Sequence, residues 1–135
     1  RYYDRPLDAT LFGAVDDILE FKDGSLAPLD YKSTGSAVPK VYDRFQLQMD
    51  IYTFLLEKNG YSTNRKGCLA FYVVDKENGF KDKLPFKKEI QMIDTNPDYA
   101  QKLFAEAVAF LRREAPAGHA PDCQYGQWLQ SVNNI

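Results

Sequence analysis

Residues 23–33, DGSLAPLDYKS, set a carboxylate and an ammonium two positions apart, at Asp30 and Lys32. In a β-strand, positions i and i+2 share a face. Leu26, Pro28, Asp30 and Lys32 therefore point one way, and Ala27, Leu29 and Tyr31 the other. The first face passes from apolar to charged, so its end opens into a cleft or onto solvent. A second acidic pair, Asp16 and Asp17, stands within LFGAVDDILEF, residues 11–21, which reads as the preceding strand. A short hairpin between the two brings Asp16 across from Asp30. Carboxylates that converge at partial burial repel one another and destabilise the fold unless something positive lies between them. A divalent cation answers that need, because Mg²⁺ and Mn²⁺ take hard oxygen ligands. Lys32, on the same face, is placed to neutralise developing charge or orient a water. Two acids, a metal and a lysine are parts that phosphodiester hydrolysis uses.

The elements that must hold these residues follow from patterning. Lys22-Asp23-Gly24 is a hairpin turn, with Gly24 supplying a positive φ. Leu26–Lys32 returns as the second strand, and STGSAVPK, residues 33–40, is a polar loop. The spacing predicts a helix over Tyr42–Asn59, with Phe45, Gln48, Met49, Tyr52, Leu55 and Leu56 on one stripe and Gly60 as its stop. CLAFYVVD, residues 68–75, is a nearly continuous apolar run, as in a strand buried on both faces. Residues 76–79, KENG, turn the chain, and Phe86–Ile93 alternates as a further strand. Asn96 and Pro97 read as N-cap and first residue of a second helix that ends near Glu114. Leu103, Phe104, Ala107, Val108 and Leu111 form its expected core stripe, and the tail from Ala115, with Pro116, is expected to be irregular. The order strand, strand, helix, strand, strand, helix predicts one α/β domain over residues 1–135, a mixed sheet of about four strands flanked by helices.

The first helix carries a separate hint. Gln48 sits on its apolar stripe with Tyr52 one turn later, so both face inward. Gln46 belongs to the other side, with Asp50 and Glu57. A buried amide needs partners, and a metal-site carboxylate, Lys32, a bound phosphate or a backbone group in the core each qualifies. Asp17 faces away from Asp16, and Glu20 shares the Asp16 face as a further ligand candidate. His119 reads as surface and Trp128 as a packing anchor.

The formal net charge of −2 and a pI of about 5.4 exclude a domain that binds polyanions by bulk charge. Such contact must come from local patches, of which Lys81, Lys83, Lys87 and Lys88 form one, and Lys40 with Arg44 a smaller one. The ordinary reading of both is a solvated surface. Two cysteines and one histidine make no disulfide framework. Cys68 opens an apolar run and reads as a buried small hydrophobe. The usage suits the cytoplasm, and no membrane partner is expected. The chain begins at Arg1, and Tyr2–Leu7 already reads as the approach to a strand. A fragment without its N-terminal helix is the expectation.

GAVDDIL, PLDYKS and QMDIY, in that order, resemble the PD-(D/E)XK nuclease superfamily. They look closest to its RecB-like branch, which includes CRISPR-associated RecB-like exonucleases and the nuclease domains of recombination helicases. That branch shows a Gly-x-x-Asp strand, an Asp-x-Lys strand after a hairpin and a Gln-x-x-x-Tyr helix, matched here by Gly13–Asp16, Asp30–Lys32 and Gln48–Tyr52. The resemblance implies a restriction-endonuclease-like core. It implies Asp16, Asp30 and the Tyr31 backbone carbonyl as ligands of Mg²⁺ or Mn²⁺. Lys32 would be catalytic with Gln48 in support, and Gln48 and Tyr52 would line the site towards substrate. The implied activity is metal-dependent hydrolysis of DNA. An exonuclease of repair or recombination, or of phage- or CRISPR-type DNA processing, fits it, with DNA and a larger repair or phage protein complex as partners. The alternative is a nuclease-fold module without catalysis, kept for DNA binding or protein docking.

Two departures stand out. The helix that supplies a Glu or His near the metal in this family has no counterpart before Tyr2. PDCQYGQW, residues 121–128, is similar to the cysteine-bearing ending of many members, but Gly126 stands where a second Cys is expected. With Cys123 alone there, no iron–sulfur cluster is expected.

Overall fold

The computed structural model describes residues 1–77, 82–115 and 118–133, and all but the side chain of residue 133. Part of the turn expected at 76–79, Lys81 and Pro116 lie outside the described residues. The chain runs β1 (Tyr2–Asp4), β2 (Ala9–Leu11), β3 (Asp17–Glu20), β4 (Leu26–Thr34), α1 (Asp43–Lys58), β5 (Lys66–Val74), β6 (Phe86–Asp94), α2 (Pro97–Leu111) and α3 (Gln124–Asn133). One four-stranded sheet, ordered β3-β4-β5-β6, forms the centre, and β1 with β2 makes a separate two-stranded ribbon. The β3–β4 and β5–β6 pairs are antiparallel, whereas β4 and β5 are parallel. A parallel pair needs a crossover, and α1 supplies it. The expected α/β class, mixed four-stranded sheet and flanking helices are all present.

The hairpin between β3 and β4 forms for the reasons its sequence gives. Gly24 takes φ +78°, and the Asp23 carboxylate accepts from the Ser25 backbone at 3.0 Å and its hydroxyl at 2.7 Å. Helix α1 ends at Asn59, with Gly60 following at φ +86°.

Packing then fixes which sheet face is closed. Met49 on α1 is fully buried against Leu69, Phe71 and Val73 of β5, with Phe45, Tyr52 and Ile93 at the margin. Burial of side chains of this size stabilises by roughly 1.5–3 kcal/mol each. The helix lies close because Gly67 has no side chain: a Cβ there would meet Met49 Cβ at 3.0 Å. A second cluster, Phe54, Leu55 and Ala100, joins α1 to α2 and receives Tyr2 and Leu11 from the ribbon. Asp50 locks this joint. Its Oδ1 accepts from the Asn96 backbone and from Gln46 Nε2, both at 2.8 Å. Asp50 is 3% exposed, so the polar side of α1 is partly an interior joint rather than a solvated face.

Four expectations need correction. The strand read over residues 11–21 is two short strands, with residues 12–16 irregular between them. Asp17 thus opens β3 and Asp16 ends the irregular segment before it, instead of both occupying a strand centre. The second helix stops at Leu111, and its core contact runs through Pro97, Ala100 and Val108. Ala107 is exposed and Leu111 is 81% exposed. Burial of β5 is complete only on the α1 side and at Cys68, while Ala70, Tyr72 and Val74 are half-buried. Finally, α3 forms where an irregular tail was expected. Its sequence, QYGQWLQSVN, contains no proline, so nothing breaks it once the chain has turned past Pro121.

Candidate active site

Asp30 lies on the closed face of β4 and is 3% exposed. The Lys32 ammonium is ion-paired to its Oδ2. That oxygen is buried and accepts no well-directed hydrogen bond, so Coulombic attraction to Lys32 is what offsets its desolvation. Strand alternation puts the two on one face, as their spacing implies, and α1 closes over them. Lys32 is also capped by the Phe45 ring, whose centroid is 4.7 Å from Nζ. A carboxylate held this way is buried, with the Lys32 ammonium as its charge partner.

From Lys32 a hydrogen-bonded chain runs through the helix. Lys32 Nζ donates to Gln48 Oε1 at 2.8 Å, Gln48 Nε2 donates to Tyr52 Oη at 2.9 Å, and Tyr52 Oη donates to the Ala14 carbonyl at 2.7 Å. The direction follows from chemistry. An ammonium only donates, so the amide must turn its oxygen to it, and its NH₂ then meets an acceptor. Gln48 and Tyr52 are one helical turn apart, which is what lets the amide reach the phenol. Of the partners open to Gln48 on sequence grounds, the structure supplies Lys32.

The last link explains Gly13. A Cβ at that position would stand 3.0 Å from Tyr52 Cε1 and 3.2 Å from Leu55 Cδ1. A side chain there would press on the Tyr52 ring, so the glycine eases the reach of Tyr52 to Ala14. The irregular segment carrying Asp16 is thereby tied to the helix that holds Lys32 in place.

Asp16 is the neighbour of this chain rather than a link in it. The β3–β4 register ends with Asp17 opposite Leu29, and Asp16, the next residue back, lies beside the Asp30–Tyr31 end of β4. The Asp16 carboxylate accepts the Tyr31 backbone N–H at 3.1 Å. Asp17 points to the other face, where it accepts the Tyr31 hydroxyl at 2.8 Å. That bond, more than any other influence, raises the Tyr31 phenol above its ordinary value. Glu20 pairs with Leu26, four residues and about 13 Å along the strand from Asp16, too far to share its ligand.

Among the described residues, no three His, Cys, Asp or Glu side chains gather into a metal cage. Two carboxylates and the Tyr31 carbonyl are nevertheless a donor set suited to Mg²⁺, which keeps several waters and binds through one or two carboxylates plus substrate phosphate. Asp30 Oδ2, buried beside the Lys32 ammonium without a well-directed hydrogen bond, is the oxygen such an ion would share.

Elsewhere, Lys87 is paired with Glu77 at 3.0 Å and Asp75 at 3.8 Å, so the larger basic patch is partly neutralised. At position 126 a Cβ would fall 2.5 Å from His119 Cβ, and the Gly126 N–H donates to Cys123 Sγ at 3.4 Å. Two contributors were not singled out from sequence. Phe45 was placed on the helix stripe as core, and nothing in its spacing marks it as the cap of an ammonium. The Ala14 carbonyl carries no side-chain signal at all.

The family model of the PD-(D/E)XK nuclease superfamily matches residues 2–130. The chain belongs to that superfamily, and its sheet and helices have the corresponding restriction-endonuclease-like arrangement. A solved structure described as "Crystal structure of SSO0001" is similar at 17% identity and a TM-score of 0.42, over 74% of this chain and 41% of that one. The chain thus spans less than half the length of that structure. No curated protein matches significantly.

Proposed function

We propose that this domain is a Mg²⁺- or Mn²⁺-dependent deoxyribonuclease. The observation that carries the reading is the buried Asp30–Lys32 pair, held by Gln48 with Asp16 alongside. A charge pair in an interior is a poor way to gain stability, because desolvation offsets most of its attraction. Its cost is easier to understand where the charges act on a ligand.

In this reading Asp16, Asp30 and the Tyr31 carbonyl hold the cation, which when bound acidifies a water and withdraws charge from the phosphate. Lys32 stabilises the charge that develops on the phosphoryl oxygens. Gln48 fixes the ammonium: its oxygen takes one of the three N–H groups, Asp30 takes another, and one is left for substrate. Tyr52 fixes the amide. An exonuclease acting in repair, recombination, or phage- or CRISPR-type processing, within a larger complex, is the setting that the RecB-like motif order supports.

The test is cleavage of end-labelled single- and double-stranded DNA with Mg²⁺, Mn²⁺ or EDTA. Wild type should cleave only with the metals, and Asp30→Ala and Lys32→Ala should be inactive while keeping their circular dichroism. Wild-type cleavage by either variant would remove the site assignment. A folded protein that binds DNA without cutting it under any of these conditions would favour the non-catalytic module.

A further inference from the structure

The side chains around Lys32 continue outward in a pattern that the hydrolytic site does not use. Lys32 Nζ lies 4.7 Å from the Phe45 centroid, and the Arg44 guanidinium lies 5.0 Å from the same ring. Arg44 is also 5.0 Å from the Tyr42 centroid, and Lys40 Nζ is 5.6 Å from Tyr42. Cation, ring, cation, ring, cation: each step falls within the roughly 6 Å reach of a cation–π contact. The two rings meet edge to face at 5.5 Å.

All five side chains line one cleft of ≈ 350 Å³, which Ser33, Thr34, Ser36, Val38 and Phe71 complete. That volume lies in the roughly 300–1,000 Å³ range of ligand sites. None of the described ion pairs involves Lys40 or Arg44. Asp43, between them in sequence, lines a neighbouring cleft with Gln46, Leu47, Asp50 and Tyr99, and Arg44 borders both clefts. In a domain of net charge −2, this is a local positive strip, and it starts at the proposed catalytic lysine.

We propose that this ladder is a subsite for single-stranded DNA, holding the nucleotides next to the scissile phosphate. The inference rests on the nuclease reading of Asp30 and Lys32 and adds the form of substrate that fits it. Lys40 and Arg44 take the phosphates that flank the one at Lys32. Tyr42, 47% exposed, offers its ring to an unpaired base. An exposed ring between two cations suits a strand whose bases are free to stack, since bases within a duplex are already stacked on each other. Lys32, at the inner end, is largely covered, and only a thin, flexible chain follows the cleft to it.

The experiment is fluorescence anisotropy of the full chain with a labelled 12-nucleotide single strand and with a hairpin duplex, in EDTA so that nothing is cut, over a series of salt concentrations. Wild type should bind the single strand at least ten times more tightly than the duplex. Lys40→Ala with Arg44→Ala should weaken single-strand binding at least tenfold and reduce the slope of log K against log salt by about 1.4, two phosphate contacts at ~0.7 each. Tyr42→Ala should weaken it about 5- to 100-fold with the slope unchanged, and Tyr42→Phe should bind as wild type. Unchanged binding in the first two variants, or equal affinity for the duplex, would overturn the proposal even if Asp30→Asn abolished cleavage. Cleavage that persists in Asp30→Asn would instead overturn the nuclease site on which the proposal rests.

Discussion

The two faces of β4 invert the usual rule of sheet patterning. On one face the charged Asp30 is 3% exposed, and on the other the aromatic Tyr31 is 44% exposed. The inversion extends across the sheet. Phe86 and Ile90 of β6 share the Tyr31 face and are 43% and 68% exposed, and the Tyr72 ring of β5 stands between those of Phe86 and Tyr31. What separates the faces is cover rather than composition. Helix α1 packs on the Asp30 side, and so buries whatever β4 presents there. A sequence that places charge under a helix and aromatics in the open is not minimising its free energy of folding. It is holding a charged group dry, and dryness strengthens its interaction with an ion or phosphate.

The largest test of this contrast is to remove the buried charges singly and together. Lys32→Met leaves Asp30 buried and unpaired, and should lower stability by about 3 kcal/mol and cleavage by more than roughly a thousandfold. Asp30→Asn should lose as much activity with a smaller loss of stability. The double variant should recover stability without recovering activity, and urea titration beside the cleavage assay reads both. If stability fell additively, the two groups would not be a coupled pair.

Breaking the helical relay should have the next largest effect. Gln48→Leu keeps the apolar contacts of α1 but frees Lys32, and kcat should fall about 10- to 100-fold. Tyr52→Phe, which loses only the bond to Ala14 and the acceptor for Gln48, should cost a few-fold. Single-turnover kinetics separate these losses from weaker binding. Equal losses in the two variants would mean that Tyr52, not Gln48, positions the ammonium.

The open face should respond far less. Tyr31→Phe removes the bond to Asp17 and should lower stability by at most ~1 kcal/mol, with cleavage within about twofold of wild type. A large loss of activity would show that both faces of β4 serve the site.

Smallest of all is the turn that joins the strands. The Ser25 hydroxyl, with the Ser25 backbone next, holds the Asp23 carboxyl below its ordinary 3.8. A depressed carboxyl contributes stability above its ordinary value and loses it as pH falls through the lowered one. The Tm gap between wild type and Asp23→Ala should therefore be small at pH 7 and close as the pH falls through that lowered value. A gap that persists in acid would place the effect in backbone entropy instead.

These faces also show what a sequence discloses. The β4 alternation, the Gly24 turn, the α1 stripe and the Asn96-Pro97 cap are local, and they appear where local spacing sets them. The inward Gln48 was visible because a polar residue on an apolar stripe demands a partner. The break at residues 12–16 was hidden because it depends on Tyr52, far away in sequence, reaching Ala14 past Gly13. The exposure of Leu111 was hidden for a related reason: periodicity says which residues of a helix share a face, not how much of that face finds a partner. Phe45 reads as core from its spacing, and only the fold turns its ring towards Lys32.

The central claim is that in the proposed site a cation bridges the exposed Asp16 and the buried Asp30 at the margin of α1. Mn²⁺ titration by calorimetry, on wild type, Asp16→Asn and Asp30→Asn, tests it most directly. Saturable binding by wild type that disappears in both variants, each still folded, is the predicted result. Binding that survives Asp30→Asn, or a wild type that gives no binding heat under conditions where it cleaves DNA, would contradict it.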